Sequence, residues 1–335
     1  MSISFEDRFK NLITELEIGS ADDVLAVTPL TGGVSSDIAL VDLGNIKVCV
    51  KFALEQLKVA EEWHAKVERN QAEYRWLVFA SSIVPEATPI LFGNSDVANG
   101  FAMEFIEGDD VYLWKTALLQ GHTENGEAGR VGHILGLIHS ASATSVDVRR
   151  RFQNQENFYA LRQEPYLSFT ATQHPDISDR ILGLVDMLND HQFVLIHGDV
   201  SPKNIIFKQG EPVFLDAECA TIGDPSFDIS FCLNHLILKA VHIKKIRYSL
   251  LNSVKQFWTA YNAHVTWEPV AELEKRVCKL LPALMLARID GKSPVEYLCD
   301  SDRTLVRSMA ISLIESTEQS LTKLIDQIII NLESK

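Results

Sequence analysis

The sequence predicts an α+β fold of two unequal lobes. The smaller, residues 1–107, carries an antiparallel sheet and one long helix; the larger, residues 108–335, is mainly helical. Three observations carry this reading. Between residues 27 and 53, short apolar runs alternate with glycine turns, the pattern of β-hairpins. From residue 224 onward, apolar residues recur at helical spacing in segments punctuated by Pro269, Pro282 and Pro294. Between these regions, Val194-Leu-Ile-His-Gly-Asp-Val-Ser-Pro-Lys-Asn-Ile-Ile-Phe207 sets a polar loop between apolar runs. With 335 residues, 46% of them hydrophobic, the chain is long enough to bury the core that such a molecule needs.

In chain order, residues 4–18 read as a capped amphipathic helix with Phe5, Phe9, Leu12, Ile13 and Leu16 on one face, expected to pack on the sheet that follows. Three strands come next, the first hairpin turning at Gly32-Gly33 and the second at Gly44-Asn45. A glycine pair lets backbone N–H groups approach an anion, and Ser35 and Ser36 add hydroxyl donors. The loop lacks the Gly-Lys-Ser/Thr ending of a Walker A motif. Lys51 stands inside the apolar strand Val48-Cys-Val-Lys-Phe-Ala53, a costly position unless its ammonium meets an anion. Residues 57–81 follow as a long helix, and Gly100–Gly108 as a strand ending in a turn. Residues 109–190 are mainly helical, with Gly132 and Gly136 spaced for close helix packing. His133 and His139 have no partner at metal-ligand spacing and are taken as structural. Phe158 and Tyr166 read as core aromatics, with Arg162 beside them offered as a substrate contact. Helices over 224–239, 245–264, 270–289 and 301–333 close the chain.

Charge and composition exclude several classes. The net charge is −14, against the clustered Lys and Arg that phosphate backbones require, so no nucleic-acid partner is expected. The acidity lies early: the first 204 residues hold 29 acids and 16 bases, the last 131 hold 16 and 15. Apolar stretches such as Ile325 to Leu332 fall well short of a membrane span of ~20 residues. The N-terminus lacks the basic-then-apolar order of a signal peptide. The five cysteines are far apart with no C-x-x-C pair, the pattern of reduced thiols in the cytoplasm.

The central loop, continued by Val213-Phe-Leu-Asp-Ala-Glu218, is expected to gather His197, Asp199, Asn204, Asp216 and Glu218 as hairpins fold the strands back on themselves. One carboxylate, an Asn five residues on, and a further Asp after the next strand suit phosphoryl transfer from a magnesium nucleotide. One acid handles a hydroxyl proton while an amide and an acid hold the metal. Protein kinases share this layout.

The phrase His197-Gly-Asp199 with Asn204, then Asp216-Ala-Glu218, resembles the aminoglycoside phosphotransferase and choline kinase family of small-molecule kinases, which share the protein-kinase fold. Its Asp-x-Glu is closer to choline and methylthioribose kinases than to the Asp-Phe-Gly of protein kinases. The likeness spans roughly residues 26–290. It implies MgATP as phosphoryl donor and a hydroxyl of a small molecule as acceptor. Asp199 would be the base, His197 would orient the loop, and Asp228 would brace it. Asn204 and Asp216 would ligate Mg²⁺, with Glu218 in or beside the metal set. Gly32, Gly33, Ser35 and Ser36 would line the phosphates, and Lys51 would hold them. Glu73 fits best as the partner of Lys51, in competition with Glu61, Glu62 and Glu68. Glu104, Phe105, Ile106 and Glu107 would form the hinge whose backbone meets adenine. One departure stands out: Ser201 occupies the place of a kinase lysine, and Lys203 lies two residues later. The 12 residues from Asp216 to Asp228 leave no room for a peptide-docking segment, against a protein kinase. Intact Lys51, Asp199, Asn204 and Asp216 speak against a pseudokinase serving as an interaction module. The near-neutral C-terminal region disfavours polycationic aminoglycosides relative to a sugar, a sugar derivative or an amino alcohol.

Overall fold

The computed structural model describes residues 4–30, 36–54, 69–122, 125–316 and 318–333. Helix α1 (Phe5–Glu15) starts where Ser4 accepts a hydrogen bond from the Asp7 amide at 3.1 Å. Strands β1 (Ala26–Pro29), β2 (Ser36–Asp42), β3 (Lys47–Ala53), β4 (Leu91–Ser95) and β5 (Gly100–Glu104) form one antiparallel sheet in the order β1-β2-β3-β5-β4. Helix α2 (Arg69–Ile83) lies between β3 and β4 in the chain.

The two-residue period of β3 sorts its side chains. Val48, Val50 and Phe52 turn to α1, where Phe9 meets Phe52 edge-on at 5.0 Å. Cys49 joins the other core, with Trp76 and Leu77 of α2 and the C-terminal lobe. Lys51 shares that parity, so the strand itself aims it at α2 and the helical lobe. Of the helix expected over 57–81, the described part runs from Arg69; Glu61, Glu62 and Glu68 lie outside the described residues, as do Gly32, Gly33 and Ser35.

After β6 (Val111–Leu113) the chain becomes helical: α3 (Trp114–Leu119), α4 (Glu127–Ala143), α5 (Val146–Arg151), α6 (Gln155–Phe158), a π-helix over Tyr159–Ser168, α7 (Phe169–Gln173) and α8 (Ser178–Asp190). Strands β7 (Val194–Ile196), β8 (Ile205–Lys208), β9 (Glu211–Phe214) and β10 (Thr221–Gly223) then carry the loop. The expectation of hairpins here is half right. Strands β8 and β9 do pair about Gln209-Gly210, but β7 pairs with β10, not with β8. The loop after β7 turns on Gly198 and a 3-10 turn at Pro202–Asn204, which carries β8 into a separate sheet with β6 and β9.

Helices α9 (Ser226–His242), α10 (Arg247–Asn262), α11 (Val270–Asp290), α12 (Asp300–Glu315) and α13 (Leu321–Glu333) complete the lobe. Every residue of α9 from Ser226 to Val241 is buried, as its apolar circumference requires. Helix α4 packs on α10 through Gly132, where a Cβ would strike the backbone carbonyl of Phe257. The single helix expected over 301–333 is two, because the polar run Ser316–Ser320 has no apolar face to continue the stripe. Among the described residues no helix is long and apolar enough to cross a membrane.

Candidate active site

Lys51, 2% exposed, is the centre of a buried ionic cluster. Its Nζ lies 2.6 Å from Oε2 of Glu73 and 2.5 Å from Oδ1 of Asp216. The other Glu73 oxygen accepts the Asp216 amide at 3.1 Å. Of the four candidate acids, Glu73 is thus the one that the described structure brings to the lysine. Burial works against the charge on Lys51, but Asp216 and Glu73 overcome it and hold the ammonium protonated. Burial also opposes ionisation of Asp216, and Lys51 with Lys203 outweighs it, so this carboxyl stays well below its usual range. One cation cannot fully balance two carboxylates so close to it, one of them buried. Glu73 takes the difference: burial lifts its carboxyl to about 7 despite Lys51. Asp216 sits at φ 67°, the left-handed region that non-glycine residues rarely adopt.

The catalytic-loop candidates come together about Asp228. Its carboxylate accepts the amides of His197 at 2.6 Å and Gly198 at 2.8 Å, as expected of a brace. Behind it, His139 bridges Asp228 (3.3 Å) and the Tyr261 hydroxyl (2.7 Å), a fully buried structural role. His197 accepts the Asp199 amide on Nδ1 at 3.1 Å and sets Nε2 3.1 Å from the Leu215 carbonyl. Its ring is buried and kept neutral. Gly198, at φ 79°, lies against Cys219, whose Cβ would stand 2.7 Å from an added Cβ.

Asp199 is 1% exposed. Oδ2 is held by Arg162 Nη2 at 2.8 Å and by Lys203 Nζ at 3.0 Å, while buried Oδ1 has no hydrogen-bond partner among the described residues. A buried acceptor left open is costly, and such groups mark places where a ligand donates. Burial raises this carboxyl, yet Lys203 and Arg162 together hold it below its usual value. The guanidinium of Arg162, expected at the substrate, is engaged with Asp199 and, at 2.7 Å, the Gly198 carbonyl. No local pattern announces that role, since the pair is separated by 37 residues.

For a metal ion, hard oxygen donors are the fit test. Asn204 uses its amide nitrogen on the Asp199 carbonyl at 3.1 Å, which leaves its amide oxygen to ligate. Asp216 keeps its side chain 28% exposed. These two suit a divalent cation. Glu218 is bound to Arg69 Nε at 3.1 Å and, unlike Asp216, its side chain is only 7% exposed. Among the described residues no group of three His, Cys, Asp or Glu side chains forms a self-sufficient metal site.

At the expected hinge, Glu104 ends β5 with its carboxylate on Lys208 at 2.5 Å and on the Ile90 amide at 3.2 Å. Phe105 and Ile106 follow outside any strand, half-buried. Ser36 is buried at the start of β2, opposite Ala53.

Comparison with known proteins bears on the family and the fold. The model of a family described as "Phosphotransferase enzyme family" matches residues 26–273. A methylthioribose kinase of Bacillus cereus (strain AH820) is 23% identical over 275 residues, covering 68% of this chain and 69% of that protein. Among solved structures, the amicoumacin kinase hAmiN, in complex with AMP-PNP, Ca²⁺ and Ami, aligns with TM-score 0.57 at 13% identity over 94% of this chain and 96% of that one. A choline/ethanolamine kinase family protein from Mesorhizobium loti aligns with TM-score 0.55 at 13% identity, over 98% and 100%. The likeness establishes the fold as the bilobal, protein-kinase-like one.

Proposed function

The chain belongs to this phosphotransferase family, and from that premise we propose that it moves the γ-phosphoryl group of MgATP to a hydroxyl of a small molecule. The observation that carries the reading is Asp199: one oxygen fixed by two cations, the other buried and open among the described residues, three residues before the 3-10 turn Pro202–Asn204. A substrate hydroxyl that donates to Oδ1 is held with its oxygen turned toward the phosphate. As that oxygen bonds to the γ-phosphorus, the bond to the β–γ bridging oxygen breaks and ADP leaves. The hydroxyl proton passes to Asp199, a step worth on the order of 10²–10⁴-fold. Lys51, fixed by Glu73, would hold α- and β-phosphate oxygens, and we assign the other phosphate contacts to Gly32, Gly33, Ser35 and Ser36, the first three of which lie outside the described residues. The backbone of Glu104, Phe105 and Ile106 meets the adenine between residues 1–107 and 108–335. When bound, Mg²⁺ neutralises charge on the transferred group; Asn204 and Asp216 would hold it, with Glu218 fixed beside them by Arg69.

The acceptor is a small molecule. Between Asp216 and Asp228 the chain spends its residues on β10 and a turn, with no segment on which a peptide could dock. A cytoplasmic location suits five free cysteines, four of them buried. The test is a coupled ADP-release screen over sugars, sugar derivatives, amino alcohols and aminoglycosides. Release that depends on one of these acceptors supports the reading. Binding of MgATP with no turnover across the screen, or comparable turnover of peptides, would sink it.

A further inference from the structure

The helical lobe carries a second group of cations that the transfer chemistry leaves unused. Phe231, His235 and Lys239 recur every four residues on one face of α9, about one turn apart. Lys239 is 1% exposed. Among the described residues its ammonium meets the ring of Tyr297, 5.1 Å from the centroid, and no carboxylate. The acid whose field reaches it, Glu296, is already paired with Lys115 at 2.5 Å. Arg288 of α11 is half-buried and, among the described residues, its side chain is bonded to neutral acceptors, the Tyr166 hydroxyl at 3.3 Å and the carbonyl and hydroxyl of Ser293. Its Nε and the Tyr297 hydroxyl are buried with no partner among the described residues.

This group adjoins the reaction centre. The π-helix that brings Arg162 to Asp199 brings Tyr166, four residues on, to Phe231 (ring centroids 5.4 Å apart) and to Arg288. His235 lies in the fields of Arg288, Lys239, Lys203 and Lys115, all cationic, and Lys203 is the residue bonded to Asp199. Lys115 is thus held by Glu296, and Arg162 and Lys203 by Asp199, while Lys239 and Arg288 meet no carboxylate among the described residues. In a chain of net charge −14 this local excess is unexpected. An unpaired ammonium in a low-dielectric site is costly unless an anion joins it. Burial draws the Lys239 amine down to about 7, with Lys115 and Arg288 adding to the effect.

Resting on the phosphotransferase reading, we propose that the acceptor is itself an anion. A carboxylate or phosphate of the acceptor seats on Lys239, Arg288 and His235 while its hydroxyl meets Asp199. Tyr166, Phe231 and Tyr297 supply the walls. Acceptors bearing ammonium groups are repelled from the same place.

The full-length enzyme with MgATP is offered four compounds on one scaffold, glucose, glucosamine, gluconate and glucose 6-phosphate, with ADP release as readout. Calorimetry follows binding of the two anions in the presence of MgADP, for wild type, Lys239→Met, Lys239→Arg and Arg288→Met. The expected result is binding of at least one anion, carboxylate or phosphate as the two arms reveal, and no turnover of glucosamine. Lys239→Met and Arg288→Met should each weaken that binding at least about tenfold, raising KM more than they lower kcat. Lys239→Arg should restore much of it. Without acceptor, Lys239→Met should melt no lower than wild type, since it removes an unpaired charge; a lysine with a merely structural role would give a lower melting point and unchanged anion affinity. If neither anion binds the wild type, or if Lys239→Met and Arg288→Met bind as well as wild type, the inference fails. Turnover of glucose or glucosamine in that case leaves the kinase reading standing. Failure to bind MgATP would instead overturn the kinase reading.

Discussion

Arg162 stands with its Nη2 2.8 Å from Oδ2 of Asp199 and its Nε 2.7 Å from the Gly198 carbonyl, so one guanidinium fixes both the proposed base and the turn that presents it. A planar fork of this kind sets direction as well as charge. Arg162 is therefore a positioning residue, acting through Asp199. Its removal should leave a pH signature. The carboxyl of Asp199 lies below its usual value because Lys203 and Arg162 outweigh the cost of burial. The base acts when deprotonated, so activity falls as pH drops through this pKa. In Arg162→Met that pKa rises, and the acidic limb of kcat/KM should move to higher pH. A profile of unchanged shape and lower height would contradict the assignment. The same pairing contributes stability that is present above the unfolded-state carboxyl pKa and is lost as pH falls through the folded one.

Asp199→Asn keeps the shape of the side chain and removes its basicity. A loss of about 10²–10⁴-fold in kcat is expected, with MgATP affinity nearly unchanged, because Asp199 serves the acceptor. Nucleotide titration beside steady-state kinetics checks this. Weakened nucleotide binding with turnover retained would reverse the assignment.

Lys51→Met leaves Glu73 and Asp216 facing each other without their shared cation. Removing one partner of such a buried pair costs about 3–5 kcal/mol, which should appear in denaturant unfolding. MgATP binding should weaken as well. Asp216→Asn should weaken magnesium-nucleotide binding with a smaller stability loss, since it relieves rather than creates uncompensated charge. Nucleotide affinity equal to wild type would remove Asp216 from the metal site.

Two glycines of like backbone offer a matched pair. Gly198 at φ 79° and Gly210 at φ 82° are both left-handed, but a Cβ at Gly210 meets nothing within 4 Å, whereas one at Gly198 meets Cys219. Gly210→Ala should cost only the backbone term, about 1–2 kcal/mol. Gly198→Ala should cost clearly more and also lower kcat, because Cys219 and the catalytic loop must part. Equal shifts in thermal midpoint would show that the contact with Cys219 is slack.

Asp228→Ala strips the acceptor from two buried amides, those of His197 and Gly198, at about 1–3 kcal/mol each. Asp228→Asn retains one acceptor oxygen and should lose about half as much. Hydrogen exchange at the two amides gives a direct reading.

The sequence by itself determined the reaction. Asp199, Asn204 and Asp216 stand at fixed spacing in one short stretch, and phosphoryl transfer is chemistry of a few groups whose order along the chain is their order at the site. It determined the orientation of Lys51 too, since a period of two leaves that residue no other side of its strand. Helix α2 was harder to read. Its inner face carries Arg69 and Glu73 beside Trp76 and Leu77, so the buried stripe is partly charged and the apolar pattern is broken. The pairings belong to the tertiary structure alone. Which acid meets Lys51, that β7 joins β10, that Arg162 holds Asp199 and that Arg69 takes Glu218 are contacts over separations of 22 to 149 residues. So is the gathering of Lys115, Lys239 and Arg288 from α3, α9 and α11 into one cationic place. In the chain these residues are scattered among acids and average to neutrality. Only close packing around the fully buried α9 separates the two signs, and low dielectric then gives that separation its force.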